Sequence, residues 1–347
     1  MSSTPVHLFI TIWSPVHGDG VPGSSAVSAG ATEGAGRSPD HLLYSVAVEY
    51  YLQEATQAEI AQRLRTSRAT VSRLLAEARR RGIVSIEVRH PDAGPDRDLA
   101  AAVADALGLH EVHLYPDVPA DSPHGVLSGA LSRPLAAVLE GARLAAGDVL
   151  LVSSGRMVYA AAHAELPQLP GVLVAPTVGG QLEPEPWYQT NEIIRAFAAS
   201  VGGNPAFLYA PALPGAALRE GLLDDPGIRR VVDTWGTAKA AVMGIGAPPQ
   251  QRVSLPHFVP AQSAALDRAV GDICSRFYDR EGVAVEFPGS ERLIATPLEL
   301  LQRIPVTVAV ASGPEKVGGI LAGARAGYFN RLVTDTSTAA QLVSATS

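Results

Sequence analysis

Five arginines and one glutamate lie in the stretch SRATVSRLLAEARRRG, residues 67 to 82 of a 347-residue chain whose formal net charge is −7. Between His41 and His90, eight arginines and five glutamates give a net charge of +3, so the rest of the chain carries −10. A basic segment on an acidic chain predicts a polyanionic partner for that segment alone. The alternative interpretation is a basic helix face that is merely solvated.

The arginines follow the start signals of two short helices. Thr56, with Glu59 three residues later, matches a capping box that begins the helix TQAEIAQRL, and Ser67 is the expected N-cap of the next helix. Gly82 is the expected end of that second helix. Its predicted buried seam consists of Val71, Leu74, Leu75 and Ala78. The next residues, IVSIEVRH, alternate like a strand and predict a wing packed against the helices.

A helix-turn-helix follows from this arrangement, with the second helix as the recognition helix. At ~100° per residue, Ala69, Arg73 and Arg80 lie opposite the buried seam. Small residues allow close approach to a DNA groove, arginine can contact guanine with two hydrogen bonds, and the first-turn amides can bind a phosphate. Arg65 occupies the turn position where glycine is usual, at a cost of ~1 kcal/mol if left-handed. The predicted DNA-contacting residues are Ser67, Arg68, Ala69, Thr70, Ser72, Arg73 and Arg80.

The remainder of the chain has a different pattern, in which short apolar runs alternate with helical segments. Each run is rich in Val, Leu or Ile and ends in Gly, Ser, Thr or Asp, which is typical of buried parallel strands. The runs are DVLLVS (148–153), VLVAPTV (172–178), AAVMGIG (240–246), VTVAVASG (306–313) and RLVTD (331–335). The predicted fold class is α/β, with an N-terminal winged helix-turn-helix (38–91) joined to a Rossmann-like parallel-sheet domain (98–347). Residues 1–37, rich in Gly, Ser, Ala and Pro, are predicted to be a disordered tail or an over-extended translation start.

Composition also restricts the class and location of the protein. A single cysteine, Cys274, excludes an internal disulfide and fits a cytoplasmic protein. No run approaches the ~18 apolar residues of a membrane span, and no Lys or Arg precedes the apolar run HLFITIW, unlike a secretory signal. One cysteine and isolated histidines give no metal-ligand spacing, so neither a metal nor another cofactor is expected.

The run QAEIAQRLRTSRATVSRLLAEARRRGIVSIEV resembles the DNA-binding module of the SorC family of bacterial transcriptional regulators. The similarity continues after it, in the family's order, through VSSGRMV, APTVGG, NEIIRAFA, AVMGIG, AVGDICSRFYDREG, VAVASGPEKVGGILAGARAG and LVTDTSTAAQLV. This resemblance implies an effector and oligomerisation domain similar to sugar-phosphate isomerases and deaminases. It also implies a phosphorylated sugar as inducer, a homo-tetramer and operator DNA as partner.

The residues of the second domain supply the chemistry that a sugar phosphate needs. Ser153, Ser154, Gly155 and Arg156 form a small-residue turn after a strand, suited to an anion, and Gly179 with Gly180 is expected to do the same after the next strand. Asn191 is either an ordinary helix cap or a hydroxyl ligand. Asp272 is the expected carboxylate for sugar hydroxyls. Lys316, one of only two lysines, follows a strand end and is the expected phosphate counterion, although a solvated lysine is the alternative.

Three residues in two motifs depart from the family pattern and limit what can be inferred about the ligand. The family motif Trp-Gly-x-Thr has Ser154 in place of Trp and Met157 in place of Thr, and the family's Gly-Gly near the last strand is Ser312-Gly313. Losing the threonine hydroxyl removes a phosphate donor worth ~1–2 kcal/mol if buried. An altered effector, or weaker phosphate binding compensated by Ser154, would each account for the changes.

Three functions fit the sequence. The preferred one is a DNA-binding regulator of carbohydrate genes controlled by a sugar phosphate. The second is a sugar-phosphate isomerase or deaminase, in which Asp272 would be a base, although His163 and His257 suggest no acid or base partner. The third is a regulator whose second domain only oligomerises. No catalytic residue is therefore assigned.

Overall fold

The computed structural model describes residues 7–12, 39–53, 55–89, 93–119, 122–252, 255–260 and 263–346. The chain divides into two compact units, Met1–Ala93 and Gly94–Ser347. Each unit has hydrophobic clusters of its own, so each is described by itself.

The first unit contains three helices, α1 (Pro39–Tyr51), α2 (Gln57–Arg63) and α3 (Arg68–Arg80), of which α2 and α3 form the predicted helix-turn-helix. Thr56 and Glu59 form the predicted capping box, and the Ser67 hydroxyl accepts from the amide of Thr70 as N-cap of α3. Val46, Ile60 and Leu75 pack together between the three helices. Local caps and a shared apolar seam therefore produce this unit as the sequence predicted.

The wing is a two-stranded antiparallel ribbon of β1 (His7–Ile12) and β2 (Val84–Arg89), with His7 opposite Arg89 and Ile12 opposite Val84. The prediction of a disordered tail over 1–37 is therefore wrong for residues 7–12; residues 1–6 and 13–38 lie outside the described residues. The prediction used the average composition of a Gly- and Ser-rich segment, which concealed a short run with high β propensity. A single wing strand has a free edge, and such a run can pair with it.

The second unit is built on a parallel sheet of seven strands in the order β3-β12-β11-β7-β4-β5-β6. Five of them lie inside the five predicted apolar runs. The edge strands β3 and β6 were not predicted, because β3 is only partly buried and β6 consists of two exposed residues, so neither shows a continuous buried apolar run. The strands are β3 (Glu111–Tyr115), β4 (Val149–Val152), β5 (Leu173–Pro176), β6 (Asn204–Pro205), β7 (Ala240–Gly244), β11 (Val306–Val310) and β12 (Arg331–Asp335).

Helices cover both faces of this sheet. Successive strand residues alternate between the two cores: Leu151 and Met243 pack on one face, and Leu150 and Val242 on the other. Burial on both faces is why these strands read as uninterrupted apolar runs. The helices of this unit are α4 (Ala93–Leu107), α5 (His124–Gly141), α6 (Arg156–Ala162), α7 (Thr190–Val201), α8 (Ala216–Asp224), α9 (Pro226–Asp233), α10 (Leu298–Leu301), α11 (Val317–Arg325) and α12 (Thr336–Thr346).

A small antiparallel sheet accompanies the large one, in the order β10-β9-β8. It comprises β8 (Gly271–Ile273), β9 (Arg276–Tyr278) and β10 (Ala284–Val285), and it packs on a separate cluster that includes Phe277 and Phe287. Strands of two or three residues are too short to show a period, so the sequence did not indicate this sheet. Throughout the described residues, no helix is long and apolar enough to span a membrane.

Candidate nucleic-acid interface and effector site

The exposed face of α3 carries the residues predicted to contact DNA. Val71, Leu75 and Ala78 are buried, whereas Ser67, Arg68, Ala69, Ser72, Arg73 and Arg80 are exposed. Thr70 is half-buried and shares a 2.9 Å hydrogen bond with the Ser67 hydroxyl. The helix wheel read from the sequence is thus confirmed in its inward and outward sides.

The turn between α2 and α3 ends α2 with a left-handed residue. Arg65 has φ of 51°, its amide donates to the carbonyl of Gln62, and the amide of Thr66 donates to the carbonyl of Ala61. These two bonds form a Schellman motif, which satisfies orphan carbonyls at the helix end. They offset the ~1 kcal/mol that a non-glycine residue loses in this conformation.

The arginines of α3 differ in their partners. Arg80 makes two hydrogen bonds to the Glu77 carboxylate, at 2.6 and 2.8 Å, so this predicted DNA contact is engaged within the protein. Arg68 and Arg73 form no ion pair with any residue that the structure describes. The unpaired cations of the predicted set therefore lie in the first half of α3.

The effector-site residues predicted from the sequence lie around a reversal in strand order. The chain runs outward from β4 to β5 and β6, then returns to β7 on the other side of β4 and continues to β11. In open parallel sheets, ligands bind outside the carboxyl ends of the strands at such a switch point. The loops that follow β4, β7 and β11 are therefore the ones to inspect.

Ser153 joins the loops after β4 and β7. Its amide donates to the carbonyl of Val242, and its hydroxyl accepts from the amide of Gly244 and donates to the carbonyl of Ser154. The side chain is buried. Ser153 therefore fixes the geometry of the switch point rather than presenting a hydroxyl donor to a ligand.

The rest of the turn after β4 faces the segment 181–189. The Gly155 amide donates to the carbonyl of Trp187, and Gly155 has φ of 123°, which only glycine adopts readily. The Arg156 side chain is exposed, and its guanidinium carbon lies 4.8 Å from the centroid of the Trp187 ring. Arg156 is thus held at the edge of the site by an aromatic face that was not predicted from the sequence.

Ser154 hydrogen-bonds to Gln181, a second site residue that was not predicted from the sequence. Its hydroxyl accepts from the Gln181 side-chain amide at 3.0 Å. The other end of that amide, Oε1, is buried and has no hydrogen-bond partner among the described residues. An acceptor in this position can bind a ligand hydroxyl or amide.

The prediction that Gly179 and Gly180 cradle an anion is wrong. The amide of Gly179 donates to the carbonyl of Ile294, and that of Gly180 to the carbonyl of Ala210. A Cβ on Gly179 would lie 2.6 Å from that same Ala210 oxygen. Gly179 is needed because neighbouring backbone segments approach closely here. The amides of both glycines, which an anion would require, already donate to those segments.

Asn191 is also engaged within the fold. Its amide oxygen accepts from the Leu208 amide, and its nitrogen donates to the Leu208 carbonyl, at 3.1 and 3.2 Å. The N-cap of α7 is Gln189. Neither expected role of Asn191, cap or hydroxyl ligand, is what the structure gives it: the residue holds the segment after β6 against α7.

Asp272 reaches the site because three glycines let β8 pack tightly. A Cβ on Gly271 would lie 3.1 Å from both the Gly246 carbonyl oxygen and the Gly319 Cα, and the Gly246 amide donates to the Asp272 carbonyl. The Asp272 carboxylate forms an ion pair with Arg252, and both side chains are largely buried. Arg252, whose Nε also donates to the Ala247 carbonyl, was missed because a lone arginine in a Pro- and Gln-rich loop has no sequence signature.

Lys316 lies after β11 in a region of positive charge. Burial lowers the pKa of Lys316 to about 8, and the nearby charges of Arg252 and Arg156 act in the same direction, against Glu315. Cations from three loops therefore lie within electrostatic reach of one another, and one of them is balanced by Asp272. An uncompensated excess of positive charge in a partly buried site favours an anionic ligand.

Two of the three residues that depart from the family pattern, Met157 and Ser312, contact each other. The Ser312 hydroxyl lies 3.9 Å from the Met157 sulfur. A hydroxyl from the loop after β11 therefore lies next to the Met157 side chain at the start of α6. The pairing indicates that both changes concern one part of the site.

A separate groove lies beside α5 and contains none of the predicted residues. Its volume is about 490 Å³, and it is lined by Gly125, Ser128, Gly129, Ser132, Tyr159, His163 and Glu165. Its ionisable groups are Tyr159, His163 and Glu165, so it lacks the Lys and Arg side chains of the switch-point site. Among the described side chains, no three His, Cys, Asp or Glu residues are grouped to bind a metal ion.

Comparison with known proteins supports the same division of the chain. Residues 93–344 match the family described as "Putative sugar-binding domain", and residues 42–93 match the Crp-like helix-turn-helix domain. The sorbitol operon regulator of Klebsiella pneumoniae is 30% identical over 87% of this chain and 97% of its own length. The deoxyribonucleoside regulator of Bacillus subtilis is 30% identical over 88% of this chain and 98% of its own length.

The solved structure of full-length SorC from Klebsiella pneumoniae superposes with a TM-score of 0.67 at 28% identity, covering 89% of this chain and all of SorC. These relatives are transcriptional regulators and not enzymes, so turnover of a sugar phosphate is not the function of this chain. This chain is a DNA-binding regulator of carbohydrate metabolism with a sugar as effector. The chain belongs to the SorC family of sugar-binding transcriptional regulators.

Proposed function

We propose that the effector is a phosphorylated sugar bound at the carboxyl ends of β4, β7 and β11, and that it controls a homo-tetramer on operator DNA. The observation that carries the proposal is the convergence of Arg156, Arg252 and Lys316 with Asp272 at the switch point. A cytoplasmic location belongs to the same proposal, because DNA and phosphorylated sugars are both found inside the cell.

The charges match a phosphate monoester. A sugar phosphate carries close to two negative charges at neutral pH, and Lys316 with Arg156 supplies two positive charges that no carboxylate pairs directly within the described residues. The Arg252–Asp272 pair is neutral as a whole and offers both donors and an acceptor to sugar hydroxyls. The free oxygen of Gln181 and the Ser154 hydroxyl add further acceptors.

For DNA binding, we propose that α3 lies in a major groove. Arg68 and Arg73, together with Ser67, Ala69, Thr70 and Ser72, form the contact face that we propose. A small exposed surface of this kind reads only a few base pairs, so a specific operator requires at least two copies of the helix. The effector would favour one arrangement of the effector domains and so change how paired helices meet two half-sites.

The test is a thermal-shift screen of the full-length protein against phosphorylated sugars, the corresponding free sugars and inorganic phosphate. A ligand that binds only the native state raises the melting temperature, and we expect this from phosphorylated sugars alone. Lys316→Ala should reduce the shift strongly at the same ligand concentration, because the affinity falls. Lys239→Ala is the matched control, since Lys239 directly precedes β7 and so lies at the opposite, amino-terminal edge of the sheet.

A shift of equal size in Lys316→Ala and wild type would contradict the proposed site. Sedimentation equilibrium with and without the active sugar then tests the tetramer. A dimer under both conditions would contradict that part of the proposal.

A further inference from the structure

The second half of α3 contains an ion-pair network that the DNA-binding function does not explain. Glu77 accepts from Arg80 at 2.6 and 2.8 Å and from Arg81 at 2.6 Å. Arg81 also donates to Asp40 of α1, at 2.7 Å. Two guanidinium groups and two carboxylates therefore form a neutral group that includes two of the three consecutive arginines. The third, Arg79, is exposed and in no ion pair within the described residues.

This network is better defined than a typical surface ion pair. Isolated exposed pairs contribute little, but bidentate geometry and several charges in one network are the recognised exceptions. Hydrogen bonds from Arg80 and then Arg81 lower the pKa of Glu77 to about 2. The Glu77 side chain is only 28% exposed, whereas that of Arg80 is 73% exposed. The carboxylate is thus held in place, and the arginines bend toward it.

Ion pairs therefore engage two of the three arginines at the C-terminal end of α3 but neither arginine of its first half. Arg68 and Arg73 in the first half are in no ion pair within the described part of the chain, and recognition helices contact base edges mainly through their first turns. Phosphate contacts supply affinity without sequence information. Freed guanidinium groups at the far end of α3 would strengthen binding to any duplex.

We propose that Glu77 is a specificity-determining residue that withholds Arg80 and Arg81 from the phosphate backbone. It lowers sequence-independent affinity and leaves base contacts by the first half of α3 unaffected. The inference rests on α3 being the DNA-contacting helix. Each additional phosphate neutralised by Lys or Arg steepens the dependence of log K on log salt by ~0.9, so the number of withheld cations can be counted.

The experiment measures binding of the full-length protein to a random-sequence duplex by fluorescence anisotropy across a range of salt concentrations. Glu77→Gln should bind more tightly at low salt, with a slope steeper by about 1 to 2. Arg80→Gln alone should leave the slope unchanged, because Arg80 is already neutralised. Arg80→Gln in the Glu77→Gln background should remove about 0.9 of the gained slope.

Asp98→Asn controls for net charge, since it makes the same change at an exposed position in the other unit. An equal effect of Asp98→Asn and Glu77→Gln would overturn the proposal, as would an unchanged slope in Glu77→Gln or a slope lowered by about 1 in Arg80→Gln. If Glu77→Gln does not fold, the Arg80→Gln/Arg81→Gln variant decides: an unchanged slope supports the proposal and a shallower one overturns it.

The outcome is separable from the DNA-binding assignment itself. Arg73→Glu tests that assignment, because charge reversal in the first half of α3 should weaken binding severely. Loss of binding in Arg73→Glu with no effect of Glu77→Gln would sink the Glu77 inference alone. Intact binding in Arg73→Glu would instead refute the assignment of α3 as the DNA-contacting helix.

Discussion

The molecule presents positive charge in two regions that differ in construction. On α3 the arginines are neighbours in sequence, exposed, and carried by one helix with its own caps. At the switch point, Arg156, Arg252 and Lys316 come from three segments up to 160 residues apart; Arg252 and Lys316 are partly buried, and Arg156 is exposed at the edge of the site. An exposed row of guanidinium groups suits an extended polyanion and is screened by salt, whereas a partly buried group suits a compact anion and is sensitive to pH.

The largest expected effect is a loss of DNA affinity without a change in effector binding. Arg73→Glu replaces a predicted base contact by a repulsive charge, and a bidentate arginine–guanine contact alone is worth ~1–3 kcal/mol. Operator binding measured by anisotropy should fall by roughly 100-fold or more at moderate salt. The thermal shift produced by a phosphorylated sugar should not change, and a loss of both would show that the regions are not independent.

The reciprocal change should affect the effector alone. Lys316→Ala removes a charged hydrogen-bond donor worth ~1.5–3 kcal/mol, so sugar-phosphate affinity measured by calorimetry should fall by roughly 10- to 100-fold. DNA affinity without effector should stay at the wild-type value. Weaker effector binding in the Lys239→Ala control would mean that the loss reflects the overall charge.

The response to pH should distinguish the regions further. Because the pKa of Lys316 is about 8 in the free protein, raising the pH through 8 removes its charge and should weaken effector binding. An anion bound beside it raises that pKa, so binding near pH 8 should take up a proton, measurable by calorimetry in buffers of different ionisation enthalpy. Arginine remains charged across this range, so DNA affinity should stay flat.

Lys316→Arg sharpens this test. Arginine keeps the positive charge above pH 8, so the pH dependence of effector binding should disappear while some affinity remains. A pH dependence that persists in Lys316→Arg would assign the titration to another group.

The smallest expected effect concerns stability of the DNA-binding unit. Thr56→Ala removes the capping box of α2 and should lower the stability of that unit by ~0.5–2 kcal/mol. Hydrogen exchange should show faster opening of amides in α1 to α3, with those of the parallel sheet unchanged. Equal acceleration in both units would indicate that they unfold together.

The same contrast explains which features were predictable. The caps Thr56 and Ser67 and the buried seam of α3 act within one or two helical turns, so the sequence displays them directly. The five central strands could be predicted because burial on both faces requires continuous apolar runs. Short strands, including β1 within a Gly- and Ser-rich segment, gave a signal too brief to separate from its surroundings.

The residues of the effector site could be predicted only in part from the sequence. Lys316 and Asp272 could be proposed from residue type and position, but Arg252 and Gln181 have no local signature, and the structure brings them in through long loops. Gly179, Gly180 and Asn191 looked like ligand groups because residue type alone does not show whether an amide is already bonded. Their partners Ile294, Ala210 and Leu208 are distant in sequence or belong to another element.

Sequence alone therefore determined the helix-turn-helix and the positions of the five central strands along the chain, because these depend on caps, periodicity and apolar runs within about ten residues. Its ordered motifs also indicated the family. Only the tertiary structure decided which polar groups remain free for a ligand and which arginines remain free for DNA. Hydrogen bonds and ion pairs are short-ranged, and their partners are chosen by the packing of elements that lie far apart along the chain.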